Sequence, residues 1–304
     1  GSGFQVDARG WTITNFHVVA DYLFDPARYR LHYETAGGGQ GEAEVIAIDV
    51  LHDLALVAPR KPLPKGDARP LALPTHGTIH RLAKGEAIYA VGNPLDLGMT
   101  VSAGTYSGVV EGTFVERIHF TGVLNPGMSG GPALDRTGSV VGINVSRSFG
   151  RESVSFLVPA IHAVRLYAEA SRQSALPVAE LRPTIARQML ERQARLAELA
   201  LAKPWAGESL GKYKVPSLLA DYMDCGAASN ESANAPPPVA AKAIACALKT
   251  SVMPAPEARS STLLPSYPNP ATVTRYAQRV SVGRCCESEV SQWHGDRPEL
   301  GHGP

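Results

Sequence analysis

The chain has 304 residues, 44% of them hydrophobic, and a formal net charge of +1 at pH 7. That apolar content excludes a disordered polyelectrolyte, and the near-neutral charge argues against a nucleic-acid partner. No run of about 18 apolar residues occurs, so no membrane span lies within the chain, and no charged-then-apolar leader opens it. The length accommodates two domains, or one fold with an appendage.

Residues 1–158 read as all-β. Short alternating segments recur around 11–15, 29–34, 43–49, 53–58, 87–91, 101–110, 117–121, 139–145 and 154–158, with Gly, Pro and Asp between them. Gly37-Gly38-Gly39 marks a hairpin-like turn, and Pro62, Pro64, Pro70 and Pro74 mark a long connection. From Pro159 onward Ala160 to Ala168 reads as a helix, with proline at a tolerated first-turn position. A second, amphipathic helix is expected over about 182–202. There Ile185, Met189, Leu196 and Leu199 or Ala200 recur at helical spacing, and Pro183 falls in the first turn. Lys203-Pro204-Trp205 stops it. Residues 205–304 carry no motif tied to a chemistry, and the polar, Pro-rich stretch 230–238 reads as a loop.

Three segments carry chemistry. Asn125-Pro126-Gly127-Met128-Ser129-Gly130-Gly131-Pro132 surrounds one serine with small residues. Nucleophilic serine catalysis needs such a turn: the hydroxyl must stand clear, and backbone N–H groups must point at one spot where an oxyanion forms. Thr14-Asn15-Phe16-His17-Val18-Val19 places a histidine just after a strand. Asp53 opens the apolar strand Leu54-Ala55-Leu56-Val57. A base and a carboxylate are therefore present, each at a strand end where it can be held rigidly.

In this order the pieces resemble a trypsin-like serine protease of the chymotrypsin fold, and within that group the HtrA/Deg type. The matching pieces are Gly1-Ser2-Gly3-Phe4, Thr14 to Val19, Asp53 to Leu56, Val91-Gly92-Asn93-Pro94, Thr100 to Gly104, Gly127 to Pro132 and Gly138 to Asn144. They cover about residues 1–165. The resemblance implies an all-β domain over 1–170, with two six-stranded antiparallel β-barrels and a closing helix. A helical linker over 171–204 and a mainly helical or irregular, cysteine-containing region over 205–304 would follow. Gly1 already lies inside a motif that normally follows an earlier strand, so the chain looks trimmed upstream.

The roles implied are Ser129 as nucleophile, His17 as general base and then acid, and Asp53 as the carboxylate orienting the imidazole. The N–H groups of Gly127 and Ser129 would form the oxyanion hole. Val123, six residues before the nucleophile, would lie at the base of the pocket for the side chain preceding the cut. Without an acidic residue there, small or medium apolar side chains are favoured over Lys or Arg. Ile143, Asn144 and Val145 would pair with the substrate backbone as an added antiparallel strand. No cofactor or metal is required, and the partners implied are polypeptide substrates.

The other histidines are 32, 52, 76, 80, 119, 162, 294 and 302. His52 adjoins Asp53, but neighbours in a strand point to opposite faces, so it is expected in solvent. Asp49 lacks the following apolar strand and reads as a turn residue. Ser107 and Ser146 lack a glycine-rich turn and read as structural.

The glycine-led carboxylate-binding loop of a PDZ domain is not visible in the tail. All four cysteines, Cys225, Cys246, Cys285 and Cys286, fall there. An even count in a loop-rich segment fits two disulfides with three connectivities, favouring one in which Cys285 and Cys286 each join one of the other pair. That pattern suits a periplasmic or secreted location, with unpaired thiols in the cytosol as the alternative. Two non-catalytic readings also stand: a peptide-binding module on a protease fold, and a tail that binds or anchors while the protease serves it.

Overall fold

Leu54-Ala55-Leu56-Val57-Ala58 is an uninterrupted apolar run, the pattern of a strand buried on both faces. β5 (Leu54–Pro59) is such a strand. Ala55 and Val57 face one core cluster, while Leu54, Leu56 and Ala58 face another. The computed structural model describes residues 1–74, 82–111, 113–147, 155–172, 174–202, 207–210, 213–216, 220–229, 242–248 and 281–284.

β5 sits within a six-stranded antiparallel sheet. The order is β1 (Phe4–Gln5), β2 (Thr12–Thr14), β5, β4 (Gln40–Asp49), β3 (Tyr29–Glu34) and β16 (Ser281–Arg284). The second half forms a closed barrel in the order β10 (Val140–Arg147), β11 (Ser155–Pro159), β8 (Ile118–Phe120), β7 (Thr100–Val109), β6 (Ala87–Gly92) and β9 (Pro132–Leu134). Its interior is filled by Ile88, Ile118, Phe120, Met128 and Leu157, all essentially inaccessible.

Two closed barrels were expected, and among the described residues only the second closes. β1 has two residues and pairs with β2 alone, so no strand completes a ring through it. Helices cover that sheet instead. Val19, Tyr22 and Leu23 of α1 (Phe16–Phe24) and Leu181 and Ile185 of α3 (Val178–Leu201) share one cluster with Leu31, Val45, Ala55 and Val57.

α1 is not legible locally, because Val18-Val19 is β-branched and follows a strand directly. Packing overrides that preference, since Phe16, Val19 and Leu23 recur on one face and are buried. The expected closing helix is α2 (Ala160–Ala170), which begins after an extended Pro159 (φ −56°, ψ 135°). Its small Ala160, Ala163 and Ala170 pack with Leu166 against the face of β5 opposite α1.

α3 starts at Val178 rather than near residue 182, so Pro183 lies in its second turn, not its first. Pro177, extended at φ −58° and ψ 142°, sets the boundary; Pro183 then leaves one intrahelical hydrogen bond unmade. The helix is docked rather than free. Gln188 accepts the Val50 N–H through Oε1 and donates through Nε2 to the Ile48 carbonyl, both at 2.8 Å. Arg182 Nε donates to the Phe24 carbonyl at 2.9 Å.

Beyond α3 the described residues form strands, not the helical or irregular structure expected. β12 (Gly207–Leu210) pairs with β13 (Tyr213–Pro216), and β14 (Met223–Ser229) pairs with β15 (Lys242–Leu248). Ile244, Cys246 and Leu248 recur with period two, but the alanines between them obscure the alternation. Cys225 stands directly opposite Cys246, a register that differs from the favoured connectivity. Cys285, Cys286 and the stretch 230–238 lie outside the described residues. Among the described residues no helix is long and apolar enough to cross a membrane.

Because Leu181 is 1% exposed within the α1–α3 cluster, Leu181→Ala should destabilise the protein by about 2–4 kcal/mol. Urea unfolding checks this; a loss near zero would mean that α3 does not stabilise the sheet it covers.

Candidate active site

Asp53 occupies the turn between β4 and β5 with φ +62°, a left-handed conformation that costs about 1 kcal/mol and that Asp tolerates better than most residues. There it meets the start of α1. The first N–H groups of a helix have no intrahelical partner, and Asn15 at the N-cap makes no side-chain cap bond. Asp53 satisfies them from another segment: its carbonyl accepts the Phe16 N–H at 3.1 Å, and its Oδ1 accepts the His17 N–H at 3.0 Å. Asn15 Nδ2 also donates to the Asp53 carbonyl at 2.8 Å. The carboxylate gains from the positive end of the helix dipole. Its Oδ2 lies 2.7 Å from His17 Nδ1, an arrangement that places the imidazole proton on Nδ1 and leaves Nε2 as the basic nitrogen.

Ser129 lies on the turn before β9, and that turn is held through every carbonyl from 126 to 129. Pro126 O accepts the Leu95 N–H at 3.0 Å, and Gly127 O accepts Ser2 Oγ at 2.7 Å. Met128 O accepts the Gly131 N–H at 3.1 Å and Asn144 Nδ2 at 3.2 Å, while Ser129 O accepts the Ser2 N–H at 2.7 Å. No cis peptide occurs among the described residues, so each N–H points opposite the carbonyl of its own peptide unit. The Gly127 and Ser129 N–H groups are therefore turned away from Leu95 and from Gly131. Among the described residues neither donates to a backbone carbonyl. Gly127 (φ +100°) and Gly130 (φ +88°) make this path feasible, because a Cβ would strike the Asn93 carbonyl at one and the Ser2 carbonyl at the other.

His17 and Asp53 are thus brought together, while Ser129 is engaged elsewhere. Its Oγ donates to the Val145 carbonyl at 3.0 Å, and among the described residues no hydrogen bond joins it to His17. Val123 is 50% exposed and faces outward; Leu124, its neighbour, enters the barrel core. Ile143 and Asn144 are less available than a substrate-pairing strand requires. Ile143 is flanked by Pro132 and Val158, and Asn144 exchanges bonds with Gly130 and Gly131. Asn144 is fully buried and also donates from Nδ2 to Val91 O at 2.9 Å, which makes it a clamp on the nucleophile turn. From Val145 onward, among the described residues, β10 pairs only with β11.

The rivals stay apart from this arrangement. His32 and His119 lie on β3 and β8, Ser107 on β7 and Ser146 on β10. His76, His80, His294 and His302 are outside the described residues. His52 is not in solvent as expected. Its Nδ1 lies 2.6 Å from Asp49 Oδ2, and its ring stacks on His162 with centroids 3.6 Å apart. The two rings belong to one cluster, buried at His162 and Arg117 and half-buried at His52, Asp49 and Glu116, because the tight 49–53 turn folds His52 inward toward α2. Among the described residues no group of His, Cys, Asp and Glu could hold a metal ion.

That cluster is electrostatically constrained. Burial, reinforced by the positive charge of His52, holds His162 down to about 3, and Arg165 and Arg117 act in the same direction against Asp49. Burial alone would raise Asp49, but its bonds and charge interactions with His52 hold it below the usual carboxylate range. Arg117 is buried and pushed down by desolvation, with Asp53 and Asp49 supplying the opposing charge. The sequence offered no signal for this cluster, since His52, Glu116, Arg117 and His162 come from three separate segments.

Residues 1–143 match the model of the trypsin-like peptidase domain. A relative from Chlamydia trachomatis serovar D, named "Probable periplasmic serine endoprotease DegP-like", is 32% identical over 176 residues, covering 55% of this chain and 32% of its own. A relative of the same name from Bartonella henselae is 32% identical over 170 residues, covering 54% of this chain and 31% of its own. The solved structure of the HtrA-type protease AlgW with a decapeptide aligns at 23% identity and a TM-score of 0.48, over 56% of this chain and 51% of that one. The chain spans about a third of the length of these curated relatives. Residues 1–143 are thus similar to trypsin-like peptidase domains, and the first half of the chain is similar to proteins named DegP-like serine endoproteases.

The His162 environment has a measurable consequence. A histidine held at about 3 in the fold but near its ordinary 6.5 when unfolded binds its proton only in the unfolded state between those values. Stability should therefore rise with pH across that window and level off above it. His162→Leu should flatten the slope between about pH 5 and 6.5, where carboxylates contribute little. Melting temperature against pH reads it, and an unchanged slope in the variant would contradict the assignment.

Proposed function

We propose that the chain is a serine endopeptidase that cuts peptide bonds through His17, Asp53 and Ser129 by way of an acyl-enzyme. The observation that carries this reading is the Asp53–His17 pair at 2.7 Å beside a serine turn whose Gly127 and Ser129 N–H groups face away from its anchoring bonds. A substrate strand pairing from Val145 onward takes up the Val145 carbonyl and releases Ser129 Oγ. The freed hydroxyl turns toward His17 Nε2, loses its proton there and attacks the scissile carbonyl. Gly127 and Ser129 N–H groups receive the oxyanion. Imidazolium, stabilised by Asp53, then protonates the leaving amine, and water repeats the sequence to free the enzyme. Val123, apolar and half exposed, favours small or medium apolar residues before the cut.

In this reading residues 1–170 are the protease, 171–204 the helical segment that follows, and 205–304 a separate region. The relatives' names place those proteins in the periplasm, and an extracytoplasmic location fits the cysteine-bearing tail of this chain. A second reading, peptide binding without cleavage, rests on the bond from Ser129 to Val145 rather than to His17.

A fluorophosphonate probe separates the two. It should label Ser129, and Ser129→Ala should abolish both labelling and cleavage of an unfolded substrate with little change in melting temperature. Asp53→Asn should lower kcat by about 10⁴ through the wrong imidazole tautomer. Peptide libraries should be cut after Val, Ala, Ile or Leu; a native preference for Arg would sink the apolar pocket, and an unlabelled Ser129 would favour the binding module. For location, alkylation without reductant followed by mass spectrometry should find Cys225 and Cys246 blocked. Free thiols at both positions in freshly isolated protein would point to a reducing compartment.

A further inference from the structure

Among the described residues two that are not glycine hold a left-handed backbone, Asp53 and Leu95. Asp53 has a short polar side chain and uses the conformation to meet α1 and His17. Leu95 (φ +51°, ψ +25°) has no polar group to offset the crowding of its Cβ. Its side chain is 63% exposed, so burial does not account for the conformation either. A strained residue of this kind persists only where its surroundings hold it, and such residues gather at functional sites.

Those surroundings form a closed turn. The Leu97 N–H donates to Pro94 O at 3.0 Å, and the Gly98 N–H donates to Oδ1 of the fully buried Asn93 at 2.8 Å. Pro94 O and the Leu95 N–H belong to one trans peptide unit, so holding the carbonyl turns the N–H to the opposite side. There the Leu95 N–H donates to Pro126 O at 3.0 Å. The same relation repeats one step on. Pro126 O and the Gly127 N–H share a second trans unit, so the Gly127 N–H points away from Leu95. Two peptide units thus stand in series between the Leu97 N–H and the Gly127 N–H, and hydrogen bonds in such a chain polarise one another. The Leu95 bond decides the second unit, because Gly127 (φ +100°) has no Cβ to restrain rotation of the peptide before it.

We propose that Leu95 is a positioning residue for oxyanion stabilisation: its left-handed backbone closes the 94–97 turn, directs the Leu95 N–H onto Pro126 O and thereby orients the Gly127 N–H. The proposal rests on the protease reading above. Leu95 acts through its main chain, so the property required at this position is tolerance of positive φ, not apolar character. Opening of the turn lowers the rate of acylation without weakening ground-state binding, since the His17–Asp53 pair and the Val145 carbonyl are held by other bonds.

Three variants of the full chain test this. Leu95→Val keeps an apolar side chain but, being β-branched, resists positive φ, whereas Leu95→Asn loses the apolar side chain and tolerates that backbone. Gly98→Ala strains the turn at φ +96° through the backbone alone, because its Cβ would meet nothing within 4 Å. Leu95→Val and Gly98→Ala should each lower kcat and the fluorophosphonate labelling rate by about threefold to thirtyfold with KM nearly unchanged, less than deletion of an oxyanion donor. Leu95→Asn should keep kcat within about twofold of the parent. The pH profile of kcat/KM should keep its parent midpoint in all three, because His17 and Asp53 are untouched. A leucine that served by touching substrate would give the reverse order, with Leu95→Asn impaired through KM and Leu95→Val intact. Gly98→Ala carries the test if Leu95→Val does not fold. Hydrogen exchange supplies a readout that does not require catalysis: corrected for intrinsic rates, exchange of the amides at 95, 97 and 98 should quicken in Leu95→Val and Gly98→Ala and stay parental in Leu95→Asn. A folded Leu95→Val or Gly98→Ala with parental kcat or parental exchange overturns the proposal, as does a loss confined to KM or a Leu95→Asn as slow as Leu95→Val. If the parent itself fails to react with the probe, the protease reading falls, and the exchange result alone decides whether the left-handed Leu95 holds the turn.

Discussion

The orientation of four consecutive peptide units, 126 to 129, is the constraint on which the rest of the site depends. An N–H group has no side chain to steer it and points wherever the carbonyl of its own peptide unit does not. Fixing those carbonyls is the available means of aiming the donors. The chain does so with partners from four places: Leu95 from the 93–97 turn, Ser2 from the segment before β1, Gly131 from within the turn and Asn144 from β10. Two of these are side chains, buried completely. A buried polar group left unmatched costs roughly 1–3 kcal/mol, so the bonds are hard to exchange for alternatives once water is excluded.

The Asp53–His17 pair follows the same logic with different parts. Asp53 serves at once as a helix cap and as the partner of the imidazole, and the geometry of one role enforces the other. Its left-handed backbone, a small cost, is what turns carbonyl and carboxylate toward the first turn of α1. Behind it, the stacked His52 and His162 with Asp49, Glu116 and Arg117 join the open sheet, α2 and the closed barrel. Polar contacts across a seam between two apolar clusters give that seam a direction that apolar packing does not supply.

The departure of the first half from a closed barrel belongs with α3. A sheet face that no further strand completes must still be covered, because apolar area left in water costs about 25 cal/mol per Å². Leu181 and Ile185 cover it, and Gln188 satisfies the backbone of the β4 end, one turn away from Asp53. The segment beyond residue 170 is thus part of what stabilises the sheet against which the His17 helix packs and from whose β4–β5 turn Asp53 projects.

Much of this was legible in the residues. The all-β character of the first half came from alternation, the closing helix from the run after Pro159, and the candidate triad from three local motifs whose chemistry is carried by residue type. Those signals are short-range, and sequence holds short-range information well. What sequence left undetermined depends on partners distant along the chain. α1 arises because Phe16, Val19 and Leu23 find a core, against a β-branched local preference. His52 is drawn inward by a ring from α2, 110 positions later in sequence than itself and invisible to any local pattern. Asn144 reads as a strand residue facing substrate, whereas its buried amide reaches Val91 and Met128. Residue types and their spacing determine which chemistry is available here; only tertiary contacts decide where each N–H, carboxylate and hydroxyl points, because orientation is set by hydrogen-bond partners that the chain brings together on folding.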